Sequence, residues 1–512
     1  MSEGGAAGAT APRPAPDTGR VARGAFWATI EVWGVELLQL LVFTALARLV
    51  GPEAFGLVAL AMAFVLVPQN LLVHGGWIEA LVQRPDLTRD EIDSVFWLLA
   101  GLGFASTLLL AAVAPLAAAS FEREELASLL RALAVCPFLT SLMVVPSGLL
   151  QRRLALAPLA VRSILGVGLG GAAAVALALA GAGPWALVVN EIAWPLAGVV
   201  VLGLAAGHRP GLRVAWKHVR PIGRFALGIT GEQLLTLGEL LAPRLLLGTL
   251  IGPTAVGLWG LARKLFDLSV ELVARPALRV ALPSFARLRE GGEGLASGLA
   301  LAIELTALAA VPGYALALVI GADLVALAFG EAWREAGEAL RILALLGPLL
   351  PLAMLLGSAF RAAGRADLVL RLAAIGAAVL LLLLPLAVWG VLGVAVAFVL
   401  RGGLLAPIRF GLARRALDLA PAALLAPLGP ILAAGGATIV AMASVRVPVA
   451  VAGLEGPVGI LLVAAAGVGA YAAALALLAR PALRRAAEGL RGLRGGSSDA
   501  GGFRRTRPSS DV

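Results

Sequence analysis

The sequence predicts an all-α, polytopic membrane protein with about 14 transmembrane helices, and three observations carry that prediction. Sixty per cent of its 512 residues are hydrophobic, with a mean hydropathy of +0.94. Apolar runs of ~20 residues, long enough to cross ~30 Å of hydrocarbon as helix, recur from Ala25 to the region of Leu478. They are too long and too little alternating for barrel strands, and only a helix or a closed barrel satisfies its backbone in lipid. The third observation is a repeat. Residues 23–62 recur at 224–263 without a gap, with 14 of 40 positions identical. Arg23, Ala25, Thr29 and Glu31 match Arg224, Ala226, Thr230 and Glu232. Gly51-Pro52, Ala54, Gly56 and Leu57 match Gly252-Pro253, Ala255, Gly257 and Leu258. Duplicated membrane halves are characteristic of transporters, whose substrate path runs between the repeats.

Taken in order, residues 1–21 are rich in Gly, Ala and Pro and are expected to be a disordered cytoplasmic N-terminus. Six spans follow, near 25–47, 55–82, 92–118, 126–147, 155–180 and 184–206, forming an N-lobe over 22–208. A basic cytoplasmic linker, 209–221, leads to a C-lobe over 222–415. Its spans lie near 222–248, 254–284, 296–320, 337–360, 367–388 and 391–412. Spans near 423–443 and 456–478 are appended within 416–480, and 481–512 is a basic, largely disordered cytoplasmic tail. The first run is too long for a secretory signal peptide and acts as its own insertion signal.

Loop charge sets the orientation. Connections assigned to the cytoplasm carry Arg84, Arg89, Arg152, Arg153, Arg209, Arg213, Lys217, Arg220, Arg361, Arg365, Arg414 and Arg415. The opposite connections are poorer in arginine and hold acids such as Glu122, Glu124, Glu125, Asp323 and Glu331. By the positive-inside rule both termini are expected to be cytoplasmic.

Several chemistries are excluded. Net charge is +10, but it lies in short loops without interleaved aromatics, so nucleic acid is not an expected partner. His74, His208 and His218 are scattered, with no His-Glu-x-x-His pattern and a single cysteine, so no metal site is expected. His208 and His218, in a basic loop, are read as solvated surface, and Cys136 as a small apolar packing residue. No Walker-type loop is present, and no connection is long enough for a catalytic domain. Gly166, Gly168 and Gly170 read as small-residue spacing for close helix packing.

The informative residues are ionisable groups inside spans. A charge at mid-bilayer costs about 3 kcal/mol on insertion scales, so it usually faces a partner or a cavity. In the eighth span Arg263, Asp267, Glu271, Arg275 and Arg279 follow at intervals of four and draw one polar stripe, with Lys264 beside it. The seventh span adds Glu232, Glu239 and, after Pro243, Arg244; Arg401 lies in the twelfth, and Glu31, Glu36, Glu79 and Glu191 lie in the first half. Two readings apply. The charges pair across helices and fix packing, or they line a hydrated cavity. Such a cavity with Arg244, Arg263 and Lys264 suits an anionic ligand, particularly a phosphate. Glu31, Glu232, Glu239, Asp267 and Glu271 would shape it or carry H+ or Na+ if transport is ion-coupled. No other cofactor is expected.

Several stretches resemble the bacterial polysaccharide and O-antigen flippases, part of the multidrug/oligosaccharidyl-lipid/polysaccharide exporter superfamily. They are Pro146-Ser147-Gly148-Leu149-Leu150-Gln151-Arg152-Arg153, Gly181-Ala182-Gly183-Pro184-Trp185-Ala186-Leu187-Val188, Ala80-Leu81-Val82-Gln83-Arg84 with Val95-Phe96-Trp97, and the Gly-Pro turn of both repeats. The similarity covers roughly 23–415 and is nearest the exopolysaccharide (colanic acid-type) branch. The resemblance implies two six-helix lobes in a V and a substrate of oligosaccharide on undecaprenyl diphosphate, flipped by alternating access without covalent chemistry. It also implies membrane lipid and a polysaccharide polymerase or export machinery as partners. Pro243-Arg244 stands where relatives often have Asp-Asn, and Trp259 where tyrosine is usual. The rival readings are an ion-coupled drug exporter on the same fold and a membrane-embedded polymerase or glycosyltransferase.

Overall fold

The computed structural model describes residues 34–73, 76–84, 87–211, 236–288, 294–347, 349–417, 419, 421–454 and 456–480. Among these, the regular structure is helical and no strand occurs. The first half comprises α1 (Val35–Val73), α2 (Trp77–Gln83), α3 (Arg89–Ser120), α4 (Glu124–Leu133), α5 (Val135–Arg152), α6 (Ala157–Leu179) and α7 (Pro184–Ala206). The second comprises α8 (236–250), α9 (Pro253–Leu288), α10 (Gly294–Phe329), α11 (Arg334–Ala344), α12 (Leu349–Ala362), α13 (Ala366–Leu383), α14 (Gly390–Leu417), α15 (Pro421–Leu425), α16 (Leu428–Val451) and α17 (Pro457–Leu478).

Nine stretches among the described residues are long and apolar enough to cross a membrane. Two of them, Val35–Gln83 and Asp367–Leu417, run to 49 and 51 residues. At ~1.5 Å per residue each is more than twice the ~30 Å hydrocarbon thickness, and each is broken where two crossings would meet. The first breaks at Gly51 (φ 81°), and the second passes through a 3-10 turn at Leu384–Trp389 and Gly390 (φ 72°). The charged helix α9 is not among the nine, because its polar stripe lowers its hydropathy. The protein is therefore multi-pass, and the count of fourteen stands as an expectation.

The helices form two compact units, one from residues up to Val50 and from Ala61 to Gln233, the other from Gly51–Leu60 and residues from Leu234 onward. In the first unit α6 and α7 pack closely, as their glycines predict. A Cβ on Gly166 would lie 3.0 Å from the backbone of Trp194, and one on Gly170 would collide with the Ala193 side chain. Thr88 caps α3 by a reciprocal box: its hydroxyl accepts from the Glu91 amide while Glu91 accepts from the Thr88 amide. Buried Glu91 also pairs with Arg84 at 2.8 Å.

The second unit is held by a core in which Leu299, Ile303, Leu355, Phe360, Ile431 and Leu475 are buried together. Tyr471 of α17 donates its hydroxyl proton to the Leu308 carbonyl of α10 at 2.9 Å, so the last two helices dock on this unit. At one end Asp323 accepts from Arg334 and Arg446, each at 2.8–2.9 Å, and Arg334 also binds Glu331. The hydrogen bonds to Glu331 and then Asp323 raise the affinity of Arg334 for its proton above the usual guanidinium value.

The repeated turns meet inside this second unit. Gly51 and Gly252 occupy the same place in the two copies and both have positive φ, 81° and 116°, a conformation glycine adopts without a Cβ penalty. Each is followed by a proline, which has the φ of a helix start. A Cβ on Gly56 would run into the Pro253 carbonyl, and one on Gly257 into the Pro52 carbonyl, in both cases far inside van der Waals contact. The contact is reciprocal: each copy's second glycine seats the other copy's proline. The Gly-Pro-x-Ala-x-Gly-Leu pattern is thus an interlock as well as a pair of bends.

Candidate functional site

The second unit brings intramembrane charges from α8, α9 and α14 together. Glu239 lies 13 residues before Gly252 and Arg263 lies 11 residues after it. At ~1.5 Å per residue both sit roughly 16–20 Å from that turn, near the middle of a ~30 Å hydrocarbon layer. Arg401, 11 residues into α14, reaches a comparable depth.

Arg263 Nε donates to both carboxylate oxygens of Asp267 at 2.9 Å, one turn along α9, as the four-residue stripe predicts. Its guanidinium carbon lies 4.9 Å from the centroid of the Phe398 ring. Arg401 approaches the same ring at 6.0 Å, so one aromatic side chain holds two guanidiniums by cation–π attraction. Phe398 is itself fixed by Trp259, with ring centroids 5.2 Å apart, and both rings are buried. The Arg401 Nε donates to the Gly376 carbonyl at 3.0 Å and its Nη2 donates to Glu239. Gly376 makes room for this approach, since a Cβ there would lie 2.7 Å from the Arg401 Nη2.

Exposure separates the two pairs. The Arg401 and Glu239 side chains are 17% and 23% exposed, whereas those of Arg263 and Asp267 are 32% and 48% exposed. A charge at this depth with so open a face borders either lipid or water, and lipid would cost about 3 kcal/mol per charge. An aqueous border satisfies both groups.

Of the residues singled out in the sequence, Arg263, Asp267 and Glu239 join this cluster. Lys264 is adjacent on α9 and half-buried, and Arg244 lies on α8 with Glu239. Helix α8 continues unbroken through Pro243. Glu31 and Glu232 lie outside the described residues, as does the side chain of Glu271, so the matched Glu31/Glu232 pair of the repeat falls there too. Pairing across helices is seen for Arg401–Glu239, whereas Arg263–Asp267 pairs within α9. Arg401 had no assigned role in the sequence, and Phe398 and Gly376 were missed. An isolated arginine in an apolar span was the available signal, but its partner is 162 residues away.

One sequence expectation is corrected. His208 is not solvated surface: its side chain is 9% exposed and its Nε2 lies 3.3 Å from buried Asp93, in the first unit just beyond α7. Burial lowers its proton affinity below the usual imidazole value; Asp93 opposes that, and Arg89 and Arg153 add to it. The Trp97 Nε1 donates to the Gly211 carbonyl at 2.9 Å, so α3 holds both ends of the 208–211 segment. Loop charge made this segment look exposed, whereas Asp93 and Trp97, one turn apart on α3, bury it. Among the described residues no group of three metal-ligating side chains occurs.

A family model described as "Polysaccharide biosynthesis protein" matches residues 45–338, more than half of the chain. The chain belongs to that family. Proteins similar to it include the lipopolysaccharide biosynthesis protein WzxC of Escherichia coli (strain K12), 24% identical over 363 residues, covering 67% of this chain and 70% of that protein. The succinoglycan biosynthesis transport protein ExoT of Rhizobium meliloti (strain 1021) is 24% identical over 334 residues, covering 65% and 67%. Among solved structures, the lipid II flippase MurJ in an inward closed conformation superposes with a TM-score of 0.73 at 12% identity, over 89% of this chain and 99% of that one. A multidrug resistance MATE family transporter in an inward-facing conformation gives 0.54 at 19% identity, over 74% and 94%. These two show that the chain shares their fold, and family membership places it in polysaccharide biosynthesis.

Proposed function

We propose that this chain is a flippase that moves undecaprenyl-diphosphate-linked oligosaccharide units across the bacterial inner membrane by alternating access, for exopolysaccharide or O-antigen synthesis. The observation that carries the reading is the arginine cluster at mid-membrane depth in the second unit, with Arg263 open on one face. A diphosphate is the part of such a lipid that pays most to leave water, and guanidiniums are suited to receive it. Arg244, Arg263 and Lys264 would hold it. Glu239 and Asp267, with Glu31, Glu232 and Glu271, would shape the path or bind H+ or Na+. Similarity to WzxC and ExoT, whose names concern lipopolysaccharide synthesis and succinoglycan transport, supports the substrate class. Both termini would be cytoplasmic, and a polysaccharide polymerase or export machinery would receive the flipped unit. A cationic drug is disfavoured, because Glu239 and Asp267 are each occupied by arginine.

The test is mass spectrometry of polyprenyl-linked sugars in a strain lacking the gene. Accumulation of a complete diphosphate-linked repeat unit, relieved by the intact gene, is expected. An unchanged lipid pool with normal polysaccharide export would overturn the reading.

A further inference from the structure

We propose that Arg401 is a phosphate-binding residue of this site and that Glu239 is its resident counter-anion, exchanged for a phosphate oxygen when substrate enters. The inference rests on the flippase reading only for the class of ligand, a polyprenyl diphosphate. Its geometry is independent.

Three features distinguish this pair from a packing salt bridge. First, Arg401 is anchored twice without Glu239, by the Gly376 carbonyl on its Nε and by the Phe398 ring, so its guanidinium keeps its place when the carboxylate leaves. Neither anchor neutralises its charge. Second, Glu239 takes a single Nη2 donor of Arg401 and makes no two-pronged contact, where a phosphate group can present more than one oxygen to the same guanidinium. Third, Phe398 ties Arg401 to Arg263, whose own carboxylate, Asp267, is the more open of the two acids. A diphosphate bound at Arg263 is therefore one aromatic ring away from Arg401.

The exchange has a functional consequence. A translocation site must bind strongly enough to draw the headgroup from water and weakly enough to release it. A built-in carboxylate that competes for the same guanidinium lowers net affinity without lowering selectivity for anions, and it prevents an empty site from holding an unpaired charge.

The experiment measures binding of geranylgeranyl diphosphate to the full-length protein in phosphatidylcholine nanodiscs, with inorganic pyrophosphate and phosphatidylglycerol discs as comparison arms. Glu239→Gln is expected to tighten diphosphate binding about tenfold, equivalent to ~1.4 kcal/mol. Arg401→Gln is expected to weaken it at least about tenfold, and Arg401→Lys less so. Because Arg401→Gln alone strands Glu239 and risks misfolding, the Glu239→Gln/Arg401→Gln double variant, which strands no charge, is measured alongside. It should bind as weakly as Arg401→Gln. Unchanged or weaker binding in a folded Glu239→Gln protein would overturn the counter-anion role, and wild-type binding in the double variant would overturn Arg401. Equal effects with phosphatidylglycerol would show a general phospholipid site and overturn the assignment to the diphosphate. If binding follows the prediction while the deletion strain accumulates no lipid-linked sugar, the site stands and the flippase reading fails.

Discussion

The two copies of the repeat carry the same bend and opposite chemistry. Gly51-Pro52 and Gly252-Pro253 turn the chain alike, and Gly56 and Gly257 seat each other's proline carbonyls. Six residues beyond each interlock glycine the copies part in charge. Met62 and Ala63 stand where Arg263 and Lys264 stand, and before the turn Leu38 and Phe43 stand where Glu239 and Arg244 stand. In the first copy Leu38 lies against Gly168, a Cβ on which would sit 3.6 Å away. In the second, the matching position reaches Arg401. Duplication supplied a scaffold with two equivalent hinges, and among the described residues the cationic cluster lies beside the second.

The comparison is broken most severely by removing one partner of the deepest pair. Arg401→Gln leaves Glu239 half-buried without its guanidinium and should cost up to about 3 kcal/mol of unfolding free energy in detergent. Glu239→Gln added to it should recover most of the loss, and chemical unfolding followed by helical circular dichroism reads both. Failure of the second substitution to rescue the first would mean that the loss comes from the Gly376 and Phe398 contacts of Arg401 and not from a stranded carboxylate.

The matched half of the comparison is tested by Gly56→Ala and Gly257→Ala. Each puts a methyl into a carbonyl of the other copy, which forces the turns apart at about 1–3 kcal/mol. Because the contact is reciprocal, the two variants should lower the thermal midpoint by similar amounts. A large effect from one and none from the other would show that the interlock belongs to a single copy.

A smaller effect sharpens the unmatched half. Gly376→Ala brings a methyl within 2.7 Å of the Arg401 Nη2, and since the flexible end of an arginine gives way, the cost should be about 1 kcal/mol. The change should appear as weaker diphosphate binding with little shift in midpoint. A lower midpoint with unaltered binding would assign Gly376 to packing.

The smallest effect concerns the first unit, where charge serves structure. Because burial lowers the proton affinity of His208, the folded state favours the neutral imidazole, and its contribution is complete above the ordinary imidazole pKa of ~6.5. As pH falls below that value the unfolded chain takes up a proton first, and the 208–211 segment loosens on the way down to the lowered native value. Amide protection at residues 208–211, corrected for the intrinsic pH dependence of exchange, should therefore fall between pH 7 and pH 5 more than protection in α3. His208→Gln should abolish that difference.

Much of the architecture was legible, and the reason is the bilayer. A fixed hydrocarbon thickness imposes a fixed run length, so the described helices fall close to the runs read from hydropathy, and Gly51 announced the break in α1 by its following proline. The local part of the site was legible as well, since Arg263 and Asp267 are one helical turn apart. What escaped was long-range. No local pattern joins Glu239 to Arg401 across 162 residues, and Phe398 reads as one more apolar residue in an apolar span. His208 was misplaced because loop composition reports average exposure, whereas Asp93 and Trp97 act on it specifically from another helix.

The central claim is that the headgroup site belongs to the second copy alone. It is tested most directly by measuring lipid-linked oligosaccharide and exported polysaccharide in a deletion strain carrying either Arg263→Gln/Lys264→Gln or, at the matched position of the first copy, Met62→Gln. With both proteins inserted at wild-type levels, the second-copy variant should accumulate the lipid-linked unit and lose at least about tenfold in export, a barrier change of ~1.4 kcal/mol or more. The first-copy variant should export normally. Normal export from the Arg263→Gln/Lys264→Gln protein would contradict the account.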